Sequence, residues 1–282
     1  MIKDREIRQT VPAQPTSDGD GVKIQRIAGF QRSHFSPFLM LDELKADTQA
    51  DYIGGFPPHP HRGIETLTYM LQGHFQHRDQ MGNVGELRSG GAQWMAAGRG
   101  VIHSEMPIMQ EGQLHGFQIW INQPARNKMS PAKYHDFQPE SIIERVHPQQ
   151  GLLRVIAGSI TLDTETITGP LTDTGVPATV ADWRAEADQH ISINTPSTFN
   201  AMLYVYRGSL TLGNQSIKAG QMAMLSNGEH LTMKAEQPSG CLILMGEPID
   251  EPVVHYGPFV MNSMAEIEQA IRDYNAGHFD TY

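Results

Sequence analysis

His59-Pro60-His61 places two imidazoles two residues apart. In an extended chain, side chains at i and i+2 project to the same side. Both rings can therefore point into one cavity, at a separation suited to a shared metal ion. His103-Ser104-Glu105 repeats the spacing with an imidazole and a carboxylate. If the two segments lie on opposed strands, they build a site from His59, His61, His103 and Glu105. Nitrogen and oxygen donors of this kind suit Fe, Mn, Ni, Cu or Zn, and the absence of thiolates argues against a structural zinc. A five- or six-coordinate ion so held keeps open positions for water, substrate or oxygen.

The competing reading makes His59 and His61 ordinary surface histidines beside prolines. The context favours the metal. Gly54, Gly55, Pro57 and Pro58 precede the first pair, and Gly98-Arg99-Gly100 precedes the second, so each follows a backbone bend. Glu65 complicates the ligand count. In one straight strand it would lie about 13 Å beyond His61. It reaches the metal only if the chain turns near Arg62-Gly63, whereas Glu105 needs no such turn.

These residues need short strands to hold them, and the chain supplies strands punctuated by turns. Residues 1–30 read as an extended opening segment with a turn cluster at Ser17-Asp18-Gly19-Asp20-Gly21. Up to about residue 124, runs such as Ile64 to Leu71 and Gly116 to Ile121 alternate with glycine-rich turns, the spacing of a sandwich or barrel. A second β-region starts near Leu152, resumes at Ala201 to Gly208 and ends with Cys241 to Met245, with a loop expected from Leu162 to Pro177. Met70-Leu71-Gln72-Gly73 and Val205-Tyr206-Arg207-Gly208 share an outline, which suggests a duplicated β-barrel. One helix is expected after Ser263-Met264-Ala265-Glu266, a capping-box pattern. Its apolar stripe is Ile267, Ala270, Ile271 and Tyr274, and Gly277 follows as the C-terminal stop. The expected fold class is thus all-β, two tandem antiparallel barrels and a C-terminal helix. The expected divisions are 1–135, 136–248 and 249–282.

Composition excludes several classes. Lys+Arg number 21 and Asp+Glu 31 in 282 residues, a net charge of −10 with no basic cluster, so no direct contact with nucleic acid is expected. No apolar run approaches the roughly 20 residues of a membrane span. The first six residues lack the apolar core of a signal peptide. The single Cys241 cannot form an internal disulfide, which fits a reducing cytoplasm.

Longer stretches resemble one family of cupins, the pirins. They include Pro37-Phe38-Leu39-Met40-Leu41-Asp42, His59 to Thr66, Gln93 to Pro107, and Phe117-Gln118-Ile119-Trp120-Ile121-Asn122. Gly246 to Val254 and Tyr256 to Asn262 complete the set. The resemblance implies a bicupin with one iron, Fe(II), in the N-terminal barrel. By position its ligands are His59, His61, His103 and Glu105, with Glu65 an inner-face neighbour. No metal is expected in the second barrel, where His190 and His230 stand alone.

Other residues carry two readings each. His77-Arg78-Asp79 reads first as an exposed turn cluster and second as groups that orient a ligand. Either Gln118 and Trp120 or Phe117 and Ile119 face the cavity. His74 and His115 read as structural. Arg62 and Arg99 could attract an anionic substrate or stabilise turns.

Two functions follow from the resemblance. The first is a dioxygenase using O2 on a small aromatic, flavonol-like substrate (quercetin), with Glu105 as the base for the hydroxyl proton. The second is an iron-dependent redox sensor that regulates a partner protein by contact. A purely structural metal is the third possibility.

Overall fold

The computed structural model describes residues 3–109, 112–162 and 164–279. The chain falls into two compact units, each assembled from separated segments. One comprises Gln14–Gln31, Phe38–Glu140 and Ile249–Tyr282; it carries the paired histidines. The other comprises Met1–Ala13, Arg32–Pro37 and Ser141–Pro248. These units divide the chain differently from the consecutive boundaries at 135 and 248. The cause is long-range pairing: the opening strand Ile7–Pro12 runs antiparallel to Gln221–Leu225.

The histidine-bearing unit has two main sheets. The smaller has the order Phe56–His61, Val101–Pro107, His74–Asp79, Val84–Arg88. Phe56–His61 contains three prolines, which lack the N–H a central strand needs, and it lies at the sheet edge. The larger has the order Lys133–Phe137, Ala92–Ala96, Ile64–Gln72, Leu114–Asn122, Phe38–Ala46, Val22–Ala28, Gln14–Asp18. The extended opening residues thus form sheet strands.

Alternation along Ile64–Gln72 shows how the interior is laid out. Met70 joins an apolar cluster with Ile24, Leu44, Phe75 and Leu114. Ile64 joins another with Leu39, Met95, Val101 and Val260. Thr68 has the same phase as both. It belongs to a polar row in which Arg26, Asp42, Gln118, Thr68, Gln93 and Asp136 lie directly opposite one another on adjacent strands.

The C-terminal segment returns to this unit as a hairpin, Val254–Tyr256 with Phe259–Met261, then the helix Met264–Asn275. Ser263 caps the helix by accepting from the Glu266 amide, and Glu266 reaches back to the Asn262 amide at 2.9 Å. Ile267 and Ala270 are buried, Ile271 packs beside them, and Gly277 takes a positive φ of 75° after the last turn. The segment is pinned by Lys128, whose buried ammonium donates to Gly63 O, Asn122 Oδ1 and Val260 O at 2.7–2.9 Å. Gly63 has φ +78°, and a Cβ there would meet Val260 O at 2.1 Å.

In the other unit, a seven-stranded and a six-stranded antiparallel sheet enclose an apolar interior that includes Leu153, Trp183, Ile191, Leu203 and Cys241. The stretch expected as a loop from Leu162 to Pro177 contains the strand Glu165–Thr168, paired with Ser159–Leu162. Asp163 within it lies outside the described residues. Thr166, Ile167 and Thr168 are β-formers, and within the Thr/Gly/Pro-rich stretch they make a short hairpin with Ser159–Leu162.

Candidate metal centre

The small sheet brings the two histidine pairs together. Val101 lies opposite His61 and His103 opposite His59, so three imidazoles share one face. Their donor nitrogens all lie within 4.8 Å of one another. A register shift between His103 and Glu105 then sets Glu105 opposite Phe56. The Glu105 carboxylate is not part of the three-nitrogen group, though it lines the same cavity as His59 and His61.

Each ring has its Nδ1 occupied. His59 Nδ1 is 2.8 Å from Pro57 O, and His61 Nδ1 is 3.3 Å from Pro258 O. A carbonyl can only accept, so both nitrogens carry hydrogen and leave the lone pair on Nε2. His103 Nδ1 is 3.4 Å from His77 Nδ1. His103 Nε2 is buried with no hydrogen-bond partner. An orphaned buried nitrogen beside two others of open valence fits a bound cation. Burial, reinforced by the neighbouring His59, pushes His61 down to about 3 and His103 well below the usual histidine range. Both rings are therefore neutral at neutral pH, the form that ligates metal. These three residues can hold a metal ion.

Glu105 is held from the large sheet. Gln118 Nε2 donates to Glu105 Oε2 at 3.0 Å, and the Thr68 hydroxyl lies 3.0 Å from Oε1 and 2.5 Å from Gln118 Oε1. Gln118 and Trp120 thus supply the cavity face of their strand. Thr68 was not singled out from sequence. Its signal was the pair Thr66 and Thr68, polar and on one phase of the strand.

Glu65 does not reach the histidines, and it is not an inner-face neighbour. The chain does turn at Arg62-Gly63, and the strands on either side belong to different sheets. Three residues before Thr68 in the same strand, Glu65 faces the opposite side, and there it accepts from Trp94 Nε1 at 2.9 Å. His77 and Asp79 are not an exposed turn cluster. His77 is buried, and its Nε2 contacts Asp79 Oδ2 at 3.2 Å.

Arg62 is committed elsewhere. It donates to Arg99 O and to Asp273 Oδ2 at 2.7 Å, with its guanidinium 4.6 Å from the Phe279 ring centre. Neither Arg62 nor Arg99 lines the cavity. His74 meets Glu86 at 3.2 Å and His115 meets Glu43 at 2.7 Å, away from the three-histidine group.

The cavity holds about 760 Å³. That lies in the usual range of small-molecule sites, about 300–1,000 Å³. Its wall is aromatic: Trp120 meets His61 edge to face at 5.1 Å and Phe30 at 6.2 Å, and Phe30 stacks on His255 at 4.1 Å. At the same cavity, Arg26 donates to both oxygens of Asp42 at 2.8 and 2.7 Å and to Asp18. The arrangement suits a flat apolar molecule with a few hydroxyls beside a bound ion.

Residues 21–121 match the pirin family and residues 180–280 the pirin C-terminal cupin domain. A protein of Vibrio cholerae is 88% identical over all of both chains, and one of Pseudomonas aeruginosa is 43% identical over 98% of this chain and 99% of its own. Both carry the name "Putative quercetin 2,3-dioxygenase". A crystal structure of quercetin 2,3-dioxygenase from Acinetobacter baumannii superposes with a TM-score of 0.89 at 31% identity, covering 98% of each chain. Among the described residues no helix is long and apolar enough to cross a membrane.

Proposed function

This chain belongs to the pirin family, and on that premise we propose that it is a metal-dependent dioxygenase of the quercetin 2,3-dioxygenase type. Its substrates are a flavonol-like aromatic and O2, and the heterocyclic ring opens with release of carbon monoxide. One observation carries the reading: three imidazole nitrogens lie together, one of them buried and unpartnered, and His59 and His61 of that group line an aromatic-walled cavity together with the Glu105 carboxylate. The relatives named for that activity support it.

A divalent ion, Fe(II) in the first instance, would supply Lewis acidity toward a substrate hydroxyl and redox exchange with O2. His59, His61 and His103 would hold it, with Glu105 as the proposed further donor. The remaining work falls to the protein. Phe30 and Trp120 offer ring faces and edges to a planar substrate. Glu105 accepts the hydroxyl proton. The Thr68 hydroxyl donates to Glu105 Oε1 and Gln118 Nε2–H donates to Glu105 Oε2, which holds the carboxylate in place at the cavity.

The test is metal analysis of freshly purified protein with an oxygen-uptake assay on quercetin, for the parent and His61→Ala. Uptake that falls to background in a folded His61→Ala protein is expected. Undiminished uptake by that variant, or none by any metal form of the parent, overturns the reading.

A further inference from the structure

We infer that His77 and Asp79 are positioning residues that fix the ring and tautomer of His103, and that they thereby set the affinity of the three-histidine group for its metal. The inference rests on the metal reading above. His59 and His61 are oriented by backbone carbonyls, those of Pro57 and Pro258. His103 alone is oriented by side chains.

The chain of contacts has one consistent direction. Asn83 donates to both oxygens of Asp79, from its amide at 3.0 Å and from Nδ2 at 2.8 Å. Asp79 Oδ2 is 3.2 Å from His77 Nε2. A carboxylate accepts, so His77 carries its hydrogen on Nε2 and presents a lone pair at Nδ1. The 3.4 Å contact between the two Nδ1 atoms then requires the hydrogen on His103 Nδ1. That places the His103 lone pair on Nε2, which is the buried nitrogen without a partner. Reversing any link would put a hydrogen where the metal must bind.

The plane of His77 is fixed as well. Tyr134 stacks on it with centroids 4.3 Å apart and planes at 19°. Strand register supports the arrangement, since Asp79 lies opposite His103 and His77 opposite Glu105. Groups that hold a ligating histidine from behind raise metal affinity by about ten- to a hundredfold.

The experiment is competition between the full chain and a chromophoric chelator for Co(II), with the visible d–d absorption recorded at saturation. His77→Phe keeps a ring against Tyr134 but removes the acceptor. Its Co(II) affinity is expected to fall about ten- to a hundredfold with an altered d–d band. His77→Asn restores an acceptor oxygen near the Nδ1 position, and its affinity is expected to return most of the way to the parent's. Parental affinity in His77→Phe, or equal losses in both variants, overturns the inference. Parental affinity in His103→Ala instead overturns the metal reading itself. Should His77→Phe fail to fold, imidazole ¹⁵N shifts of the metal-free parent decide: hydrogen on His103 Nδ1 and His77 Nε2 is expected, and the reverse pair contradicts it.

Discussion

The Trp94 indole donates to Glu65 at 2.9 Å on the face of the large sheet opposite to Thr68. Both groups are buried, so the pair is a structural bond. Glu65→Ala should leave the indole N–H without that acceptor and cost about 1–3 kcal/mol in chemical denaturation, with metal content unchanged. A stable Glu65→Ala protein that loses its metal would contradict this assignment.

Phe30 forms part of the cavity wall between Trp120 and His255. Removing one aromatic partner is worth about 0.5–1.5 kcal/mol beyond lost area, so Phe30→Ala should raise KM for quercetin several-fold to about tenfold, with kcat moved less. Steady-state kinetics check it; a selective loss of kcat would place Phe30 elsewhere in the reaction.

The metal-free protein should lose stability in acid through His61 and His103. Folded, His61 titrates near about 3 and His103 well below its usual range, while unfolded both titrate near 6.5. The unfolded chain then binds more protons between those values, so stability is full above about 6.5 and falls as the pH drops toward 3. Thermal unfolding of the metal-free chain should show this, and His61→Asn should flatten part of the slope.

Lys128 predicts a second window on the alkaline side. Burial lowers its pKa from 10.5 to about 7, against the opposing charges of Glu251 and Glu266. Between those values the unfolded chain holds the proton more firmly, so stability rises with pH across that window. The difference in melting temperature between the parent and Lys128→Met should grow in the parent's favour from pH 7 to 10. A constant difference would show that the lysine does not titrate there.

The clustering of His59, His61 and His103 was legible in the sequence because i, i+2 spacing survives in any strand, and glycines marked the bends before each pair. The position of Glu65 relative to His61 was not, because it depends on how Arg62-Gly63 turns between two sheets. Asp79 and His77 looked like turn residues because their burial comes from pairing with Val101–Pro107, more than twenty residues away. Thr68 and Gln118 acquire their role only when the large sheet faces Glu105 on the small one. The two-barrel outline was visible in the matching strand–glycine steps at Gly73 and Gly208, whereas the joining of Ile7–Pro12 to Gln221–Leu225 left no local trace.

Carbon monoxide release with quercetin and O2, measured on Fe(II)-loaded Glu105→Gln beside the parent, tests the account most directly. The parent should release carbon monoxide as oxygen is consumed. The variant should keep its metal on the three histidines and release carbon monoxide about 10²- to 10⁴-fold more slowly, the usual worth of a positioned base. A variant that turns over at the parental rate, or a loaded parent that releases none, would contradict it.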